Sequence, residues 1–183
     1  MTRVTATALA GCLVVEFDRR GDDRGWFQRA IDPGELAAVG VDFTVAQANF
    51  AQTVRRGTVR GMHYQRAPHG EAKLFHCIAG RVFDVAVDLR ESSQTFGGWF
   101  GIELDADEPR ALLVPVGFAH GYLSLVDEVQ VAYFASQGYV AAAEQVLSPL
   151  NTAVGIDWPI GIEHLSEKDR AADPSAAPVP SGY

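Results

Sequence analysis

The chain has 183 residues, 48% of them hydrophobic, a size and composition that suit one domain with a single substantial core. Its 23 acidic and 15 basic residues leave a formal charge of -8, and this disfavours nucleic acid as a partner, since binding the phosphate backbone requires a basic surface. No apolar run approaches the roughly 20 residues that span a bilayer, and the N-terminus lacks the basic and apolar regions of a signal peptide. We therefore expect a soluble cytoplasmic protein without a membrane partner.

Most of the chain has the pattern of a β-sandwich or barrel. From about residue 43 to 135, short runs rich in Val, Phe, Tyr and Leu are separated by Gly, Pro, Asp and Ser at intervals near ten residues. The clearest strand alternates apolar residues with a set that includes Asp84 and Asp88, so one face carries two carboxylates. In chain order, the predicted strands are 12–17, 43–50, 58–65, 72–78, 81–89, 99–104, 111–114 and 128–135.

Helix is scarce in this sequence. Asp32 followed by Pro33 predicts a short helix with an Asp cap, and residues 166–172 form a second candidate. The segment 173–183 is small, polar and rich in proline, a composition that cannot bury enough surface to offset its chain entropy. We predict a single domain over residues 1–172, followed by a flexible C-terminal tail.

Polar side chains inside apolar strands indicate that the barrel encloses a ligand. Parity places Arg60 and His63 on opposite faces of their strand unless Gly61 marks a bulge. His63 is either a hydrogen-bonded structural residue or a base. A contact from Asp169 to one ring nitrogen would favour the base, because it fixes the tautomer and raises the basicity of the other nitrogen.

Lys73, one of only two lysines, shares a strand face with Phe75 and Cys77. An ammonium group on an apolar face needs an anionic partner. That partner is either Asp84 or Asp88, in a structural ion pair, or an oxyanion of a ligand.

Several other side chains have two interpretations. Tyr133 is either a core tyrosine or a proton donor, and the ring of Tyr139 either stacks on a base or caps the barrel. Cys12 and Cys77 are too few for a disulfide framework and lack CxxC spacing, so we expect buried reduced thiols. The tryptophans are expected to pack in the core or at the barrel end; they are Trp26, Trp99 and Trp158.

A metal-dependent barrel is a further alternative, because cupins often hold iron or manganese through His-x-His with a later Glu and His. Position 65 is Gln65 rather than the second histidine of that motif. His63, His76 and His120 remain as imidazoles, but no carboxylate has the expected spacing. We therefore expect no metal and no cofactor.

Taken together, these motifs resemble the dTDP-4-dehydrorhamnose 3,5-epimerase family. The resemblance spans about residues 12–172 and rests on DRGWF, QAN, RGMHYQ, AKLFHC, VFDVAVDLR, GFAHGY, IDWP and LSEKD. It implies a mainly β fold, a cupin-type β-barrel (jelly roll) with a few short helices, and a metal-free homodimer.

The resemblance also implies residue roles. His63 would be the base with Asp169 as its partner, Tyr133 the acid on the opposite face of the sugar ring, and Lys73 would lie by the C4 oxygen. Tyr139 matches the ring that stacks on thymine. Positions that the family uses for the nucleotide diphosphate, the sugar or the pocket wall are Arg24, Gln28, Gln47, Asn49, Arg60, His120, Glu144 and Lys168.

Four positions depart from the family pattern at what we expect to be the pocket or its rim: Gln28, Phe50, Gly138 and Asn151. They leave open the substrate and the number of inverted centres. The sequence therefore predicts an epimerase acting at C3, C5 or both of a dTDP-4-keto-6-deoxyhexose, for dTDP-L-rhamnose or the sugar of a secondary metabolite. The alternatives are a single-centre epimerase and a non-catalytic cupin that binds sugar nucleotides.

Overall fold

The computed structural model describes residues 2–183, and in that part of the chain thirteen strands and two short helices are present. None of those helices is long and apolar enough to cross a bilayer. In chain order the elements are β1 (Arg3–Ala6), β2 (Leu13–Glu16), β3 (Arg19–Asp22), β4 (Gly25–Gln28), α1 (Pro33–Ala38), β5 (Gln47–Thr53), β6 (Val59–Gln65), β7 (Lys73–Ala79), β8 (Arg81–Asp88), β9 (Trp99–Asp105), β10 (Arg110–Val114), β11 (Phe118–Ser124), β12 (Val129–Ala135), β13 (Glu144–Val146) and α2 (Glu167–Ala171).

The strands form two antiparallel sheets and a separate hairpin. The six-stranded sheet has the order β1-β2-β10-β7-β12-β5, the five-stranded sheet has the order β13-β6-β11-β8-β9, and β3 pairs with β4. Two sheets with these crossovers are the double-sheet arrangement of a jelly roll. The predicted fold class is confirmed, although the sheets do not close into a continuous barrel.

One apolar cluster joins the two sheets. Phe75 of β7 and Leu112 of β10 pack with Val82 and Ala86 of β8 and with Tyr122 of β11. The alternation predicted for β8 is confirmed, because its apolar residues divide between this cluster and the outer face, while Asp84 and Asp88 are buried in the chain interior.

Each sheet is covered on its outer face as well. Leu36 of α1 packs with Leu74 of β7 on the six-stranded sheet. Leu147 and Val154 pack with Val85 of β8 on the five-stranded sheet. Both sheets are therefore packed on two faces, one toward each other and one toward the covering segments.

Both helices begin where capping residues are present. The Asp32 carboxylate accepts a hydrogen bond from the amide of Glu35, and the Ser166 hydroxyl accepts one from the amide of Asp169. The predicted helices are confirmed, and the second cap fixes the backbone that carries Asp169.

The C-terminal segment differs from the predicted loose tail. The amide and hydroxyl of Ser181 both donate to the carbonyl of Leu89, and Ser181 is fully buried. The hydroxyl of Tyr183 accepts a hydrogen bond from the amide of Gly70. Composition failed here because backbone hydrogen bonds and one buried serine, rather than apolar area, hold the segment against the domain.

Two of the three tryptophans and both cysteines are placed as the sequence predicted. Trp99 and Trp158 pack on the outer face of the five-stranded sheet, as expected, but Trp26 is 61% exposed and has Arg19 over its ring. The core-packing prediction for Trp26 is therefore wrong. The two cysteines are free and buried, and burial raises the pKa of each thiol to about 12.

Candidate active site

A cavity of about 150 Å³, into which several polar side chains reach, lies between the two sheets. The five-stranded sheet contributes Arg60 and His63 from β6 and His120 from β11. Lys73 of β7 and Tyr133 of β12 come from the six-stranded sheet. The fold thus brings together residues that are up to 73 positions apart in the sequence.

His63 and Asp169 are in direct contact. Nε2 of His63 lies 2.6 Å from Oδ1 of Asp169, which is buried at the start of α2. Burial would raise the pKa of Asp169, but the hydrogen bonds from His63 and Ser166 outweigh it and hold the pKa below its ordinary value. Asp169 is therefore a carboxylate that fixes the imidazole orientation, which is the contact the sequence hypothesis required.

A bulge places Arg60 and His63 in the same cavity. His63 is opposite His120, whereas Arg60 is opposite Tyr122, so three residue steps on β6 face two on β11. Gly61 has a φ of +135°, and a Cβ there would lie 2.5 Å from the Cα of Gly121. The sequence left a bulge at Gly61 open, and the structure shows it; the close approach to Gly121 requires glycine.

Lys73 has a partner that the sequence analysis did not name. Its Nζ lies 3.0 Å from Oε1 of Glu71, and the two side chains are 12% and 13% exposed. Of the two alternatives, a structural pair with Asp84 or Asp88 is wrong, and contact with an oxyanion of a ligand stays a prediction. Glu71 precedes Lys73 by two residues, a spacing that puts both side chains on one face of an extended chain. This spacing does not distinguish Glu71 from Asp84 and Asp88 as the partner.

The two carboxylates of β8 have other partners. Asp88 pairs with Arg90 at 2.7 Å, whereas Oδ1 of Asp84 lies 2.8 Å from Nε2 of His120. Burial raises the pKa of Asp84, opposed by His120 and Lys73, and its Oδ2 is buried without a hydrogen-bond partner. Asp84 thus holds His120. In the sequence, the alternation of β8 indicated only that Asp84 faces the interior.

Tyr133 lines the cavity from the sheet opposite His63. Its ring stacks on Phe75 with the centroids 6.2 Å apart. Burial raises the pKa of Tyr133, and the charge of Glu71 raises it further against the effect of Arg60. The phenol therefore holds its proton at neutral pH and is able to donate it.

An adjoining cavity, called here the mouth of the cleft, shares His63, Lys73 and Tyr133 with the first cavity. Five predicted binding residues line it or contact its lining. The Tyr139 hydroxyl donates to Glu144 over 2.8 Å, and Glu144 pairs with Lys168 over 2.5 Å. Gln47 donates to Asn49 through its Nε2 and accepts the Tyr139 amide at its Oε1. The Tyr139 ring is 56% exposed in the loop after β12, so one face is available to a flat ligand.

Two predicted binding residues lie outside this cleft. Arg24 pairs with Asp22 at the tip of the β3–β4 hairpin, and Gln28 accepts a hydrogen bond from Arg19. Neither side chain lines the cavity of its own chain, since both belong to the separate two-stranded sheet, and their role as binding residues stays a prediction.

The other departures from the family pattern fall in different places. Phe50 is 79% exposed on β5, and the carbonyl of Gly138 accepts a hydrogen bond from Gln65. Asn151 was expected at the pocket or its rim, but it is buried elsewhere and donates to the carbonyl of Ala176. Its short polar side chain holds a loop and the C-terminal segment together.

The three imidazoles considered as metal ligands do not lie at one site. His63 and His120 line the cavity, each with its own carboxylate, whereas His76 is buried between the rings of Phe17 and Phe134. Among residues 2–183, no group of three or more His, Cys, Asp or Glu side chains has the arrangement of a metal site.

The cavity of this jelly roll is surrounded by a histidine–carboxylate pair, a largely buried ammonium group and a protonated phenol. This arrangement suits an enzyme that transfers protons. The model of the dTDP-4-dehydrorhamnose 3,5-epimerase family matches residues 6–176. A dTDP-4-dehydrorhamnose 3,5-epimerase of Streptomyces griseus is 42% identical over 167 residues, covering 90% of this chain and 82% of the relative. The chain belongs to the dTDP-4-dehydrorhamnose 3,5-epimerase family.

Solved structures agree with this assignment. The dTDP-4-dehydrorhamnose 3,5-epimerase of Bacillus anthracis, with TDP and PPi bound, has a TM-score of 0.91 and 36% identity, over 94% of this chain and 99% of that one. A 3'-monoepimerase of Streptomyces bikiniensis in complex with dTDP-quinovose has a TM-score of 0.84 and 37% identity, over 91% and 84% of the two chains. The fold is therefore shared by enzymes that invert one centre and enzymes that invert two.

Proposed function

We propose that the protein inverts C3, C5 or both of a dTDP-4-keto-6-deoxyhexose by removing a proton from one face of the sugar and returning one to the other. The observation that carries the proposal is the placement of His63 and Tyr133 on facing sheets around one cavity that Lys73 also lines. A C4 ketone makes the hydrogens on both neighbouring carbons acidic. The reaction needs only a base, an acid and a cation for the intermediate.

His63 is the base in this proposal. Oδ1 of Asp169 accepts a hydrogen bond from Nε2 of His63, which leaves the lone pair of Nδ1 to take the C–H proton. The carboxylate then stabilises the imidazolium that forms. The electron pair of the broken C–H bond moves to the C4 oxygen and gives an enolate.

Lys73 supplies the positive charge for that oxygen. Because its side chain is largely buried, its attraction for an enolate is stronger than it would be in water. Glu71 holds the ammonium group in place before substrate arrives. The enolate collapses when Tyr133 delivers its proton to the opposite face, and solvent then restores both groups.

Nucleotide recognition is assigned to the mouth of the cleft. The exposed face of Tyr139 suits a pyrimidine ring, and Glu144, Gln47 and Asn49 offer hydrogen-bonding groups beside it. Lys168 and Arg60 provide positive charge for the diphosphate. The relatives that bind TDP and dTDP-quinovose support a dTDP-sugar as the ligand.

We also propose that the protein is a cytoplasmic homodimer. The β3–β4 hairpin carries exposed Trp26 and Phe27 together with Arg24 and Gln28, which do not reach the cleft of their own chain. A partner subunit would bury these aromatic rings and bring the two polar side chains to its own site.

Tyr133→Phe tests the proposal, because it keeps the ring and removes the donated proton. His63 still abstracts the C–H proton in this variant, so solvent deuterium should enter the substrate with retained configuration. Net inversion should fall about 10²–10⁴-fold. NMR in heavy water measures exchange and inversion in the same sample. Equal losses of both rates in a thermally stable variant, or no loss of either, would remove Tyr133 from the mechanism.

A further inference from the structure

Arg60 is held by a chain of hydrogen bonds for which the proposed mechanism has no role. Its Nε donates to Oγ1 of Thr53 over 2.9 Å, and its Nη2 donates to the carbonyl of Gln52 over 2.8 Å. Oγ1 of Thr53 lies 2.8 Å from the hydroxyl of Tyr122. Thr53 and Tyr122 are buried, with exposures of 2% and 5%.

This chain of bonds crosses from one sheet to the other. Arg60 and Tyr122 lie on paired strands of the five-stranded sheet, whereas Gln52 and Thr53 end β5, the edge strand of the six-stranded sheet. Arg60 and Tyr122 both line the cavity. The guanidinium group is thus anchored at the place where the two sheets meet beside the candidate site.

The bonds fix the plane of the guanidinium group. A guanidinium has five N–H donors in one plane, and two of them are used here, which leaves three for a ligand. A planar group held through both Nε and one Nη cannot rotate about its last torsions without breaking a bond. The Thr53 hydroxyl is itself held, since it also forms a hydrogen bond with the hydroxyl of Tyr122 inside the core.

We infer that Thr53 and Tyr122 are positioning residues that hold Arg60 in the orientation that binds the diphosphate of the substrate. The inference rests on the proposed function, because it takes Arg60 as a residue that touches substrate. Thr53 and Tyr122 need no substrate contact of their own for this role. Their effect on binding passes entirely through Arg60, and this dependence can be measured.

Thr53→Val removes the hydroxyl with little change in shape, and Thr53→Ser restores it. We expect Thr53→Val to weaken binding of dTDP, measured by calorimetry, about 10-fold, the size expected when a hydrogen bond to a charged group is lost. Thr53→Ser should bind dTDP within about twofold of the parent. Thr2→Val removes another buried threonine hydroxyl, one that bonds to Glu35 and does not line the cleft, so it is the matched control and should not change dTDP affinity.

The decisive measurement places Thr53→Val in an Arg60→Ala background. If Thr53 acts through Arg60, the double variant binds dTDP no more weakly than Arg60→Ala alone. An additional 10-fold loss would overturn the inference. If Thr53→Val lowers the unfolding temperature, Tyr122→Phe replaces it, because this variant keeps the ring in the core. Its dTDP affinity is then measured alone and in the Arg60→Ala background, as in the same double-mutant cycle.

The cycle also separates this inference from the proposed function. If Arg60→Ala weakens dTDP binding and neither Thr53→Val nor Tyr122→Phe does, positioning by these two residues is wrong while the role of Arg60 stands. If Arg60→Ala binds dTDP as tightly as the parent, Arg60 does not touch the nucleotide and both claims fail.

Discussion

At the scale of single residues, the account depends most on the pair formed by His63 and Asp169. Asp169 contributes only by orienting and charging the imidazole. His63→Ala and Asp169→Ala should each lower kcat/KM, by about 10²–10⁴-fold for His63. The double variant should lose little more than His63→Ala, because a carboxylate has nothing to orient once the ring is gone.

Steady-state kinetics of the parent, the two single variants and the double variant test this coupling. Thermal unfolding of each protein is the control that it is folded. Losses that multiply in the double variant would show that the two residues act independently. The pair would then not be the catalytic base.

Residue roles could be predicted from the sequence only where the partner was identifiable by motif. The contact between His63 and Asp169 was hypothesised although 106 positions separate them, since both lie in family motifs. The partner of Lys73 was not predicted, because strand parity offered Asp84 and Asp88 on an inner face. Only the structure shows that Glu71 contacts the ammonium group instead. Parity gives the face of a strand but not which of several charges is nearest.

At the scale of elements, strand β7 has different chemistry on its two faces. Lys73 and Phe75 face the cavity, while His76 is buried against the outer core between Phe17 and Phe134. Burial lowers the pKa of His76 to about 4, against a backbone hydrogen bond with Ala30 that raises it. In the folded protein the ring is therefore mostly neutral above about pH 4.

This burial predicts a pH dependence of stability. Between about pH 4 and the unfolded pKa near 6.5, the unfolded chain binds a proton at His76 that the folded chain does not. The free energy of unfolding should therefore fall as the pH is lowered through this window, by up to about 1.4 kcal/mol per pH unit from this residue. Above that window, His76 should contribute no slope.

Urea unfolding of the parent and of His76→Leu between pH 4 and pH 7 measures this contribution. The variant should lose that part of the slope, whereas His69→Leu, outside this core, should keep it. A variant with the same pH dependence as the parent would show that His76 does not titrate as its burial requires.

Elements with a buried face were predictable, and exposed ones were not. The alternation of β8 and the caps at Asp32 and Ser166 are local signals, and the structure confirms both. The first strand and the β3–β4 hairpin are mostly exposed, so they lack apolar alternation and were missed. β5 begins at Gln47 rather than at residue 43, because Phe43 packs in the outer core instead of extending the strand.

At the scale of the whole molecule, the hairpin carries the prediction of a dimer. Trp26 and Phe27 are 61% and 64% exposed, and large apolar side chains grouped on a surface commonly mark an interface. Light scattering at micromolar concentration should give twice the 19.7 kDa of one chain. An active monomer under these conditions would contradict both the dimer and the role given to the hairpin.

The central claim is that the cavity carries out proton exchange and inversion beside a C4 ketone, and one measurement tests it directly. The parent protein is incubated with dTDP-4-keto-6-deoxyglucose in heavy water, and NMR locates the deuterium and the configuration of the product. We predict that deuterium enters only at the carbons beside the ketone, at C3, C5 or both, and that these carbons are inverted. The number of carbons that carry deuterium and are inverted gives the number of centres on which the enzyme acts. Tight binding of the sugar nucleotide with no deuterium at either carbon would contradict the account and leave a binding protein.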